Sequence, residues 1–152
     1  MTRAGVLGEL LGKPWRANAN GPDAYDCWHL ARHIQRDLFA RDLPDIAVPA
    51  DPSWRWMIGT IEKHPERRRW QESPQLNGLI RATDGSLVLM ARSDRPAHIG
   101  VWLAPENRII HCDQGMGVVL ETPSMLRVGG WLRLRFFEPL FVTSSSPDKS
   151  LP

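Results

Sequence analysis

Apolar residues in the first third of the chain recur at intervals of three or four residues, which is typical of one buried face of a helix. The stripe consists of Cys27, Leu30, Ala31, Ile34 and Leu38. Asp26 precedes the stripe and is a residue type that caps helix N-termini well. The pattern predicts a helix that begins at Cys27 and directs the cysteine sulfur towards the protein interior.

Other segments have the spacing of helices or the alternation of strands. Helices are predicted over residues 1–13 and 53–63, with a short one from Pro65 to Gln71, and the three prolines between Leu43 and Pro52 indicate an extended connection. Six strands are predicted, near residues 78–82, 86–92, 98–103, 108–112, 117–121 and 131–137. Helices followed by a run of strands indicate the α+β class.

Two of the predicted strands form a hairpin that carries histidines. In the first strand, His98 and Gly100 share a face because side chains alternate. If Leu103 pairs with Arg108 across the four-residue turn, Gly100 lies opposite a second histidine, His111. The two histidines are then diagonal neighbours with Cβ atoms about 7–8 Å apart, within reach of a ring-to-ring hydrogen bond. A slip of one residue would place His111 on the other face.

The cysteine and the two histidines are together typical of a thiol hydrolase. A cysteine is a nucleophile only as thiolate, and the positive end of a helix lowers a thiol pKa from its free value of about 8.5, so we expect a lowered pKa for Cys27. In this interpretation His98 accepts the thiol proton and His111 orients the His98 ring. The alternatives are that Cys27 is an inert core residue and that each histidine has a structural role.

Four stretches of the chain resemble the NlpC-like peptidoglycan cysteine peptidases. The resemblance is closest to variants associated with bacteriophage tails, in which a tryptophan commonly follows the nucleophile. It covers most of residues 14 to 138 and keeps the order of helix-borne cysteine, apolar strand and two histidine strands. The stretches that carry it are Gly21 to Arg32, Asp84 to Met90, His98 to Val101, and Ile110-His111 followed by Gly117 to Val119.

The resemblance implies a papain-like α+β fold in which the nucleophile helix packs on a small antiparallel sheet. It implies a nucleophile, a general base and a third polar residue at Cys27, His98 and His111. Substrate contacts are expected at three aromatic residues, Trp15, Tyr25 and Trp28. Such enzymes cut peptide bonds in the stem peptides of bacterial peptidoglycan without a metal or cofactor, and this is the expected activity.

The chain also departs from the family. Members often carry an active-site tyrosine about a dozen residues before the cysteine, where this chain has Trp15; its only tyrosine is Tyr25. His29 stands where a small residue is usual, and we expect it to be exposed on the helix. The Gly-Asp that often opens the next strand is represented by Asp84 to Ser86. These changes leave open an alternative function, a structural or assembly component of a phage tail with a vestigial peptidase site.

Composition and charge agree with one compact domain. The chain has 152 residues, of which 42% are hydrophobic, and we expect a hydrolase domain over residues 1–140 and a flexible polar tail over 141–152. The net charge of +2 does not indicate a polyanionic partner, and the cluster from Glu66 to Arg69 is more typical of a solvated face. The expected partners are peptidoglycan and phage tail proteins, and not nucleic acid.

The sequence has no run of roughly 18 apolar residues and no secretory signal pattern. We therefore expect synthesis in the cytoplasm and delivery to the cell wall by a phage tail, another particle, a secretion machine or lysis. A zinc site is an alternative for the second histidine strand, but the paired spacing of the usual zinc ligands is missing, so no metal is expected. Its candidate ligands are His98, His111, Cys112 and Asp113. Three tryptophans could wall a substrate cleft or pack in the core, namely Trp54, Trp56 and Trp70.

Overall fold

The computed structural model describes residues 1–75 and 79–140. Its centre is a six-stranded sheet in which every neighbouring pair of strands is antiparallel. The strands are β1 (Trp70–Ser73), β2 (Leu87–Ala91), β3 (His98–Leu103), β4 (Arg108–Asp113), β5 (Gly117–Glu121) and β6 (Arg133–Pro139). They lie in the order β1-β6-β2-β3-β4-β5, so the hairpin of β3 and β4 lies inside the sheet.

Within residues 1–75 and 79–140, four α-helices and one 3₁₀ helix accompany the sheet. They are α1 (Arg3–Leu10), α2 (Cys27–Phe39), α3 (Trp54–Lys63), the 3₁₀ helix (Pro65–Arg69) and α4 (Pro123–Val128). Asp26 caps α2, because its carboxylate accepts a hydrogen bond from the backbone N–H of His29. The helix ends at Phe39, and the C-cap residue Ala40 has a left-handed backbone. Among the described residues no helix has the length and apolar content needed to cross a membrane.

The sheet separates two hydrophobic clusters. One face packs against α2 and includes Ile99, Val101 and Cys112, whereas the opposite face, with Trp102 and Ile109, packs against Trp131 and α4. Because side chains alternate along β3, His98 lies on the same face of the sheet as Trp102. It is also the first residue of β3 and lies close to the start of α2. This position at the end of the sheet allows one cleft to contain both His98 and Cys27.

The predicted α+β class is confirmed, and most predicted elements are present within a few residues of their expected ends. The strand expected near 78–82 is wrong for its described part, since residues 79–82 form no strand. The sheet edge is instead β1, where the chain extends directly after the 3₁₀ helix and pairs with β6. Helix α4 was not predicted. The tail expected over residues 141–152 lies outside the described residues.

Candidate active site

Cys27 is the first residue of α2, and its side chain is only 6% exposed. Burial and, to a lesser degree, the neighbouring Asp26 carboxylate raise the pKa of its thiol to about 12. Hydrogen bonds from the backbone amides of Ile99, Trp28 and Cys27 act in the opposite direction. The expected lowering of the thiol pKa is therefore wrong for the free protein, because desolvation outweighs the helix N-terminus.

The two histidines lie on one face of the hairpin in the predicted register. Leu103 pairs with Arg108 and Gly100 with His111. His98 Nε2 and His111 Nδ1 are 2.9 Å apart, and the two rings meet edge to face. Gly100 is the residue that leaves room for this contact, because a Cβ there would lie 3.1 Å from the Cβ of His111 and 2.8 Å from a side-chain methyl group of Ile109.

Glu121 extends the pair to a third residue that the sequence interpretation missed. Its Oε1 accepts a hydrogen bond from His111 Nε2 at 2.8 Å. Val119 of β5 lies opposite His111, and Glu121 follows two residues later on the same face. The alternation of β5 was therefore a usable signal, but it required knowing that β5 pairs with β4.

The Glu121 carboxylate also fixes the protons along the chain. An ionised carboxylate only accepts, so the proton of neutral His111 lies on Nε2 and its Nδ1 is an acceptor. His98 must then donate from Nε2, which leaves a lone pair on His98 Nδ1. His98 is thereby held in the tautomer that can accept a proton from a neighbouring group.

The surroundings of both imidazoles favour the neutral form. Burial, the neighbouring His111 and the charge of Arg92 lower the pKa of His98 well below its usual value. Burial also lowers the pKa of His111, although the bond to Glu121 opposes this shift. Trp131 stacks on the His98 ring with centroids 5.0 Å apart, and the Arg92 guanidinium lies 4.0 Å from the centre of the indole ring. The His98 ring is therefore held between His111 and the indole ring of Trp131.

His29 is buried, and the expectation that it is exposed is wrong. Its side chain is bonded on both sides, by Asp26 to Nδ1 at 2.8 Å and by Asp45 to Nε2 at 2.7 Å. Burial lowers the pKa of His29, but the two carboxylates outweigh it and the net shift is upward. The ring thus ties the cap of α2 to the segment between α2 and α3, which approaches the helix start.

Two neighbouring cavities meet at Cys27. We name the first the polar cleft; it has a volume of about 180 Å³ and is lined by His98, Arg92 and Asp113, among others. The second, the apolar cavity, has a volume of about 100 Å³ and lies between α3, the 41–52 segment and the sheet. Cys27 and Trp15 line both of them.

Of the three aromatic residues predicted to contact substrate, two line the cavities and one does not. Trp15 lines both cavities, and Trp28 and Trp56 line the apolar cavity. Tyr25 is elsewhere: its side chain is 3% exposed and packs against Gly21, and within the described residues it lines neither cavity. The structure thus brings two of the three predicted aromatic residues to the site.

Three of the four alternative zinc ligands, His98, Cys112 and Asp113, line the polar cleft, but among the described residues they form no group that could hold an ion. Cys112 packs with the cluster on the α2 face, and its Sγ donates to the Tyr25 carbonyl at 3.2 Å, whereas His111 points to the other face. Within residues 1–75 and 79–140, no group of three or more potential metal ligands is close enough to hold an ion.

Comparison with solved structures shows that this chain has a known fold. The crystal structure of the NlpC/p60 domain of the peptidoglycan hydrolase SagA matches this chain with a TM-score of 0.52 and 13% identity, over 88% of this chain and 93% of that one. No protein-family model and no curated protein matches the sequence. At this identity the likeness concerns the fold. The chain shares the α+β fold of an NlpC/p60 domain.

Proposed function

We propose that this chain is a cysteine peptidase that hydrolyses peptide bonds in the stem peptides of bacterial peptidoglycan. The observation that carries the proposal is the polar cleft, which is lined by both Cys27 and His98, together with the chain His98–His111–Glu121 that fixes the tautomer of His98. The fold shared with the NlpC/p60 domain of a peptidoglycan hydrolase supports this choice of substrate.

In the proposed reaction the Cys27 sulfur attacks the peptide carbonyl carbon. The raised pKa of the thiol and the neutral state of His98 imply that the proton moves to His98 Nδ1 during the attack and not before it. The backbone amides of Cys27 and Trp28 at the start of α2 stabilise the oxyanion. The C–N bond then breaks as His98 returns the proton to the leaving amine, and a thioester remains.

Water completes the cycle. His98 takes a proton from the water as the water oxygen bonds to the thioester carbon. The C–S bond then breaks as His98 returns the proton to the sulfur, which releases the acid and restores the Cys27 thiol. His111 and Glu121 act through His98, because they stabilise its imidazolium form each time it carries the proton. They are positioning residues in this mechanism.

The test is mass spectrometry of fragments released from purified sacculi. The wild-type chain should release cleaved stem peptides, Cys27→Ala should release none, and His98→Ala should be slower by about 10²–10⁴-fold. His33→Ala is the matched control, because His33 lies on α2 away from the cleft and pairs with Asp37. Undiminished release by Cys27→Ala would refute the proposed nucleophile.

A structural or assembly role with an inactive site is the second candidate, and one observation favours it: the Cys27 thiol is buried and un-ionised at neutral pH. Because the thiol proton can also leave during the attack, slow alkylation does not by itself establish the inactive site. Release of cleaved peptides from sacculi distinguishes the active site from the inactive one. If the wild-type chain and Cys27→Ala are equally silent on sacculi of several wall chemotypes, the structural role is favoured.

The proposal also includes delivery by a phage tail or a similar particle. Its support is the tryptophan that follows Cys27, as in the tail-associated peptidases that the sequence resembles. Proteomic analysis of purified particles from a producing strain should find the chain in constant ratio to tail proteins. Its absence from the particles, with free chain in the lysate, would contradict this part.

A further inference from the structure

Arg92 places a positive charge in the polar cleft. It follows the last residue of β2 and lines the cleft together with Cys27 and His98. The ion pairs found among the described residues do not include its guanidinium group, although the nearby Arg95 is paired with Glu62. Because a guanidinium group is always charged in proteins, Arg92 offers this charge to a ligand beside the reacting groups.

Two contacts hold the Arg92 guanidinium in place. It lies 4.0 Å from the centre of the Trp131 indole ring, and its Nη1 donates to the Gly129 carbonyl at 2.8 Å. Gly130 leaves the space for this arrangement, because its φ is +98° and an added Cβ would collide with Nη1. A guanidinium group has five N–H donors, and within the described residues only one of them is bonded. The other donors are therefore positioned for a ligand.

The acidic residue of the cleft lies on the opposite side of the base from Arg92. The sheet order is β2-β3-β4, so Arg92 after β2 and Asp113 at the end of β4 flank His98 at the start of β3. One oxygen of Asp113 accepts from two backbone N–H groups of the turn that follows it, at 2.7 and 3.2 Å. Gln114, in the same turn, is exposed and uncharged. The other residues that line the cleft also carry no charged side chain, namely Trp15, Pro52, Met57, Ala97, Cys112 and Trp131.

The position of His98 decides where the leaving residue of a substrate lies. Because the protonated base hands its proton to the leaving nitrogen, that nitrogen must come within about 3 Å of a His98 ring nitrogen. Trp131 connects the base to Arg92, because its ring centre lies 5.0 Å from that of His98 and 4.0 Å from the Arg92 guanidinium carbon. The guanidinium carbon is therefore at most about 9 Å from the centre of the His98 ring.

A carboxylate on the leaving residue can span this distance. The α-carboxyl carbon of an amino acid lies about 2.5 Å from its nitrogen. The carbons of a paired carboxylate and guanidinium group are about 4 Å apart. Together with the distance between base and leaving nitrogen, these steps match the separation of His98 and Arg92. A carboxylate one residue further along an extended peptide would lie roughly 3.5 Å beyond it.

We propose that Arg92 binds a carboxylate of the leaving residue and thereby selects stem peptides that carry an acidic group directly after the scissile bond. The reach favours the free α-carboxylate of a C-terminal residue, and a side-chain carboxylate that folds back is the other source. Two parallel hydrogen bonds to the planar guanidinium group would fix the position of the leaving residue as well as bind it. The inference rests on the proposed function and leaves its bond changes as they are.

The test uses synthetic stem peptides of two, three and four residues, each as the free C-terminal acid and as the C-terminal amide. Mass spectrometry of the products identifies the length that ends directly after the cleaved bond. For that length, kcat/KM should be at least about tenfold higher for the acid, because hydrogen bonds to a charged group contribute that much. A second amide, whose leaving residue has a side-chain carboxylate, separates the two sources: recovery of the rate assigns the bound group to the side chain.

Variants show whether Arg92 is the partner of the carboxylate. In Arg92→Gln the ratio of kcat/KM for acid and amide should fall below about threefold, and Arg92→Lys should keep part of the preference because lysine keeps the charge without the planar fork. Arg127→Gln is the matched control, because it removes an exposed arginine of α4 outside the cleft, and it should keep the wild-type ratio. If Arg92 only supports the His98 ring through Trp131, Arg92→Gln will slow both peptides equally, and an unchanged ratio would overturn the inference.

Binding provides a measurement that does not depend on turnover. In isothermal titration calorimetry, Cys27→Ala should bind the acid with a Kd at least about tenfold lower than that of the amide. The difference should disappear when Arg92→Gln is added to Cys27→Ala and persist when Arg127→Gln is added. The comparison of the peptides needs no substitution of Arg92, so it remains valid if Arg92→Gln fails to fold. Equal affinities for the acid and both amides, or no binding of any acid, would overturn the inference.

The outcomes separate this inference from the proposed function. If Cys27-dependent hydrolysis of the peptides occurs at equal rates for the acid and both amides, the role of Arg92 is refuted and the nucleophile stands. If the wild-type chain is no faster than Cys27→Ala on any peptide or on sacculi, the proposed function itself fails. The inference then fails with it, because no residue leaves.

Discussion

Replacement of Glu121 by glutamine removes the charge at the end of the histidine chain. The Glu121 carboxylate lies roughly 8 Å from the His98 Nε2 atom. The His111 ring lies between them, with a hydrogen bond of 2.8 Å on the Glu121 side and one of 2.9 Å on the His98 side. At an effective dielectric constant of about 20, unit charges at this distance attract by about 2 kcal/mol, or about 30-fold in rate. This is the expected minimum loss in kcat/KM, because the Glu121 charge stabilises His98 only when it is protonated.

Glutamine can cause a larger loss through the tautomers. If its amide N–H₂ donates to His111 Nε2, His111 must carry its proton on Nδ1 and His98 then accepts at Nε2. The proton of neutral His98 would lie on Nδ1, and the base would be blocked. The expected loss is therefore between about 30-fold and 10⁴-fold, the upper value being typical of a lost general base.

Kinetics on soluble stem peptides would test this prediction. The loss should appear in kcat with KM nearly unchanged, because Glu121 does not contact substrate. The acid limb of the pH profile should move to lower pH, since removal of the carboxylate makes protonation of the imidazoles less favourable. Glu9→Gln, at an exposed position on α1, is the control for charge loss alone. Activity within twofold of wild type for Glu121→Gln would refute the proton chain.

Three further predictions concern stability, measured by urea unfolding. Gly100→Ala should lower the free energy of unfolding by about 1–3 kcal/mol through overpacking. In the control Gly59→Ala, the added Cβ meets nothing within 4 Å, so the free energy of unfolding should change by less than about 1 kcal/mol in either direction. Equal effects of the two substitutions would contradict the tight contact in the hairpin. His29→Ala should lower the free energy of unfolding by about 3 kcal/mol because the buried Asp26 carboxylate loses its partner, whereas Asp45→Ala should lower it by less than about 1 kcal/mol because Asp45 is exposed. The stabilisation by His29 is present at low pH and is lost as the pH rises through its raised pKa. A difference from wild type that does not depend on pH would count against this reasoning. The free energy of unfolding of the wild-type chain should also fall between about pH 9 and 12, and Cys27 should account for up to about 4 kcal/mol of this fall, because its thiol ionises at lower pH in the unfolded chain than in the folded one. Cys27→Ala should show a smaller fall. An identical pH dependence of the two proteins would argue against the raised pKa.

The sequence by itself determined the local elements that carry the candidate site. The start of α2 followed from a capping residue and a stripe at helical spacing, both of which are local properties of the chain. The register of the histidine hairpin followed from strand alternation and a short turn, and the structure has that register. The same alternation explains why Cys112 lies on the face opposite His111, because successive side chains of a strand point to opposite faces.

Only the tertiary structure decided the electrostatics and the shape of the site. The thiol pKa is raised because distant strands bury Cys27, which the helix start alone could not indicate. The partner of His111 depends on the pairing of β5 with β4, and the burial of His29 depends on Asp45 approaching from a loop. The physical reason is common to all three: spacing along a chain fixes which face a side chain occupies, but desolvation, hydrogen-bond partners and cavities arise from segments that meet only after folding.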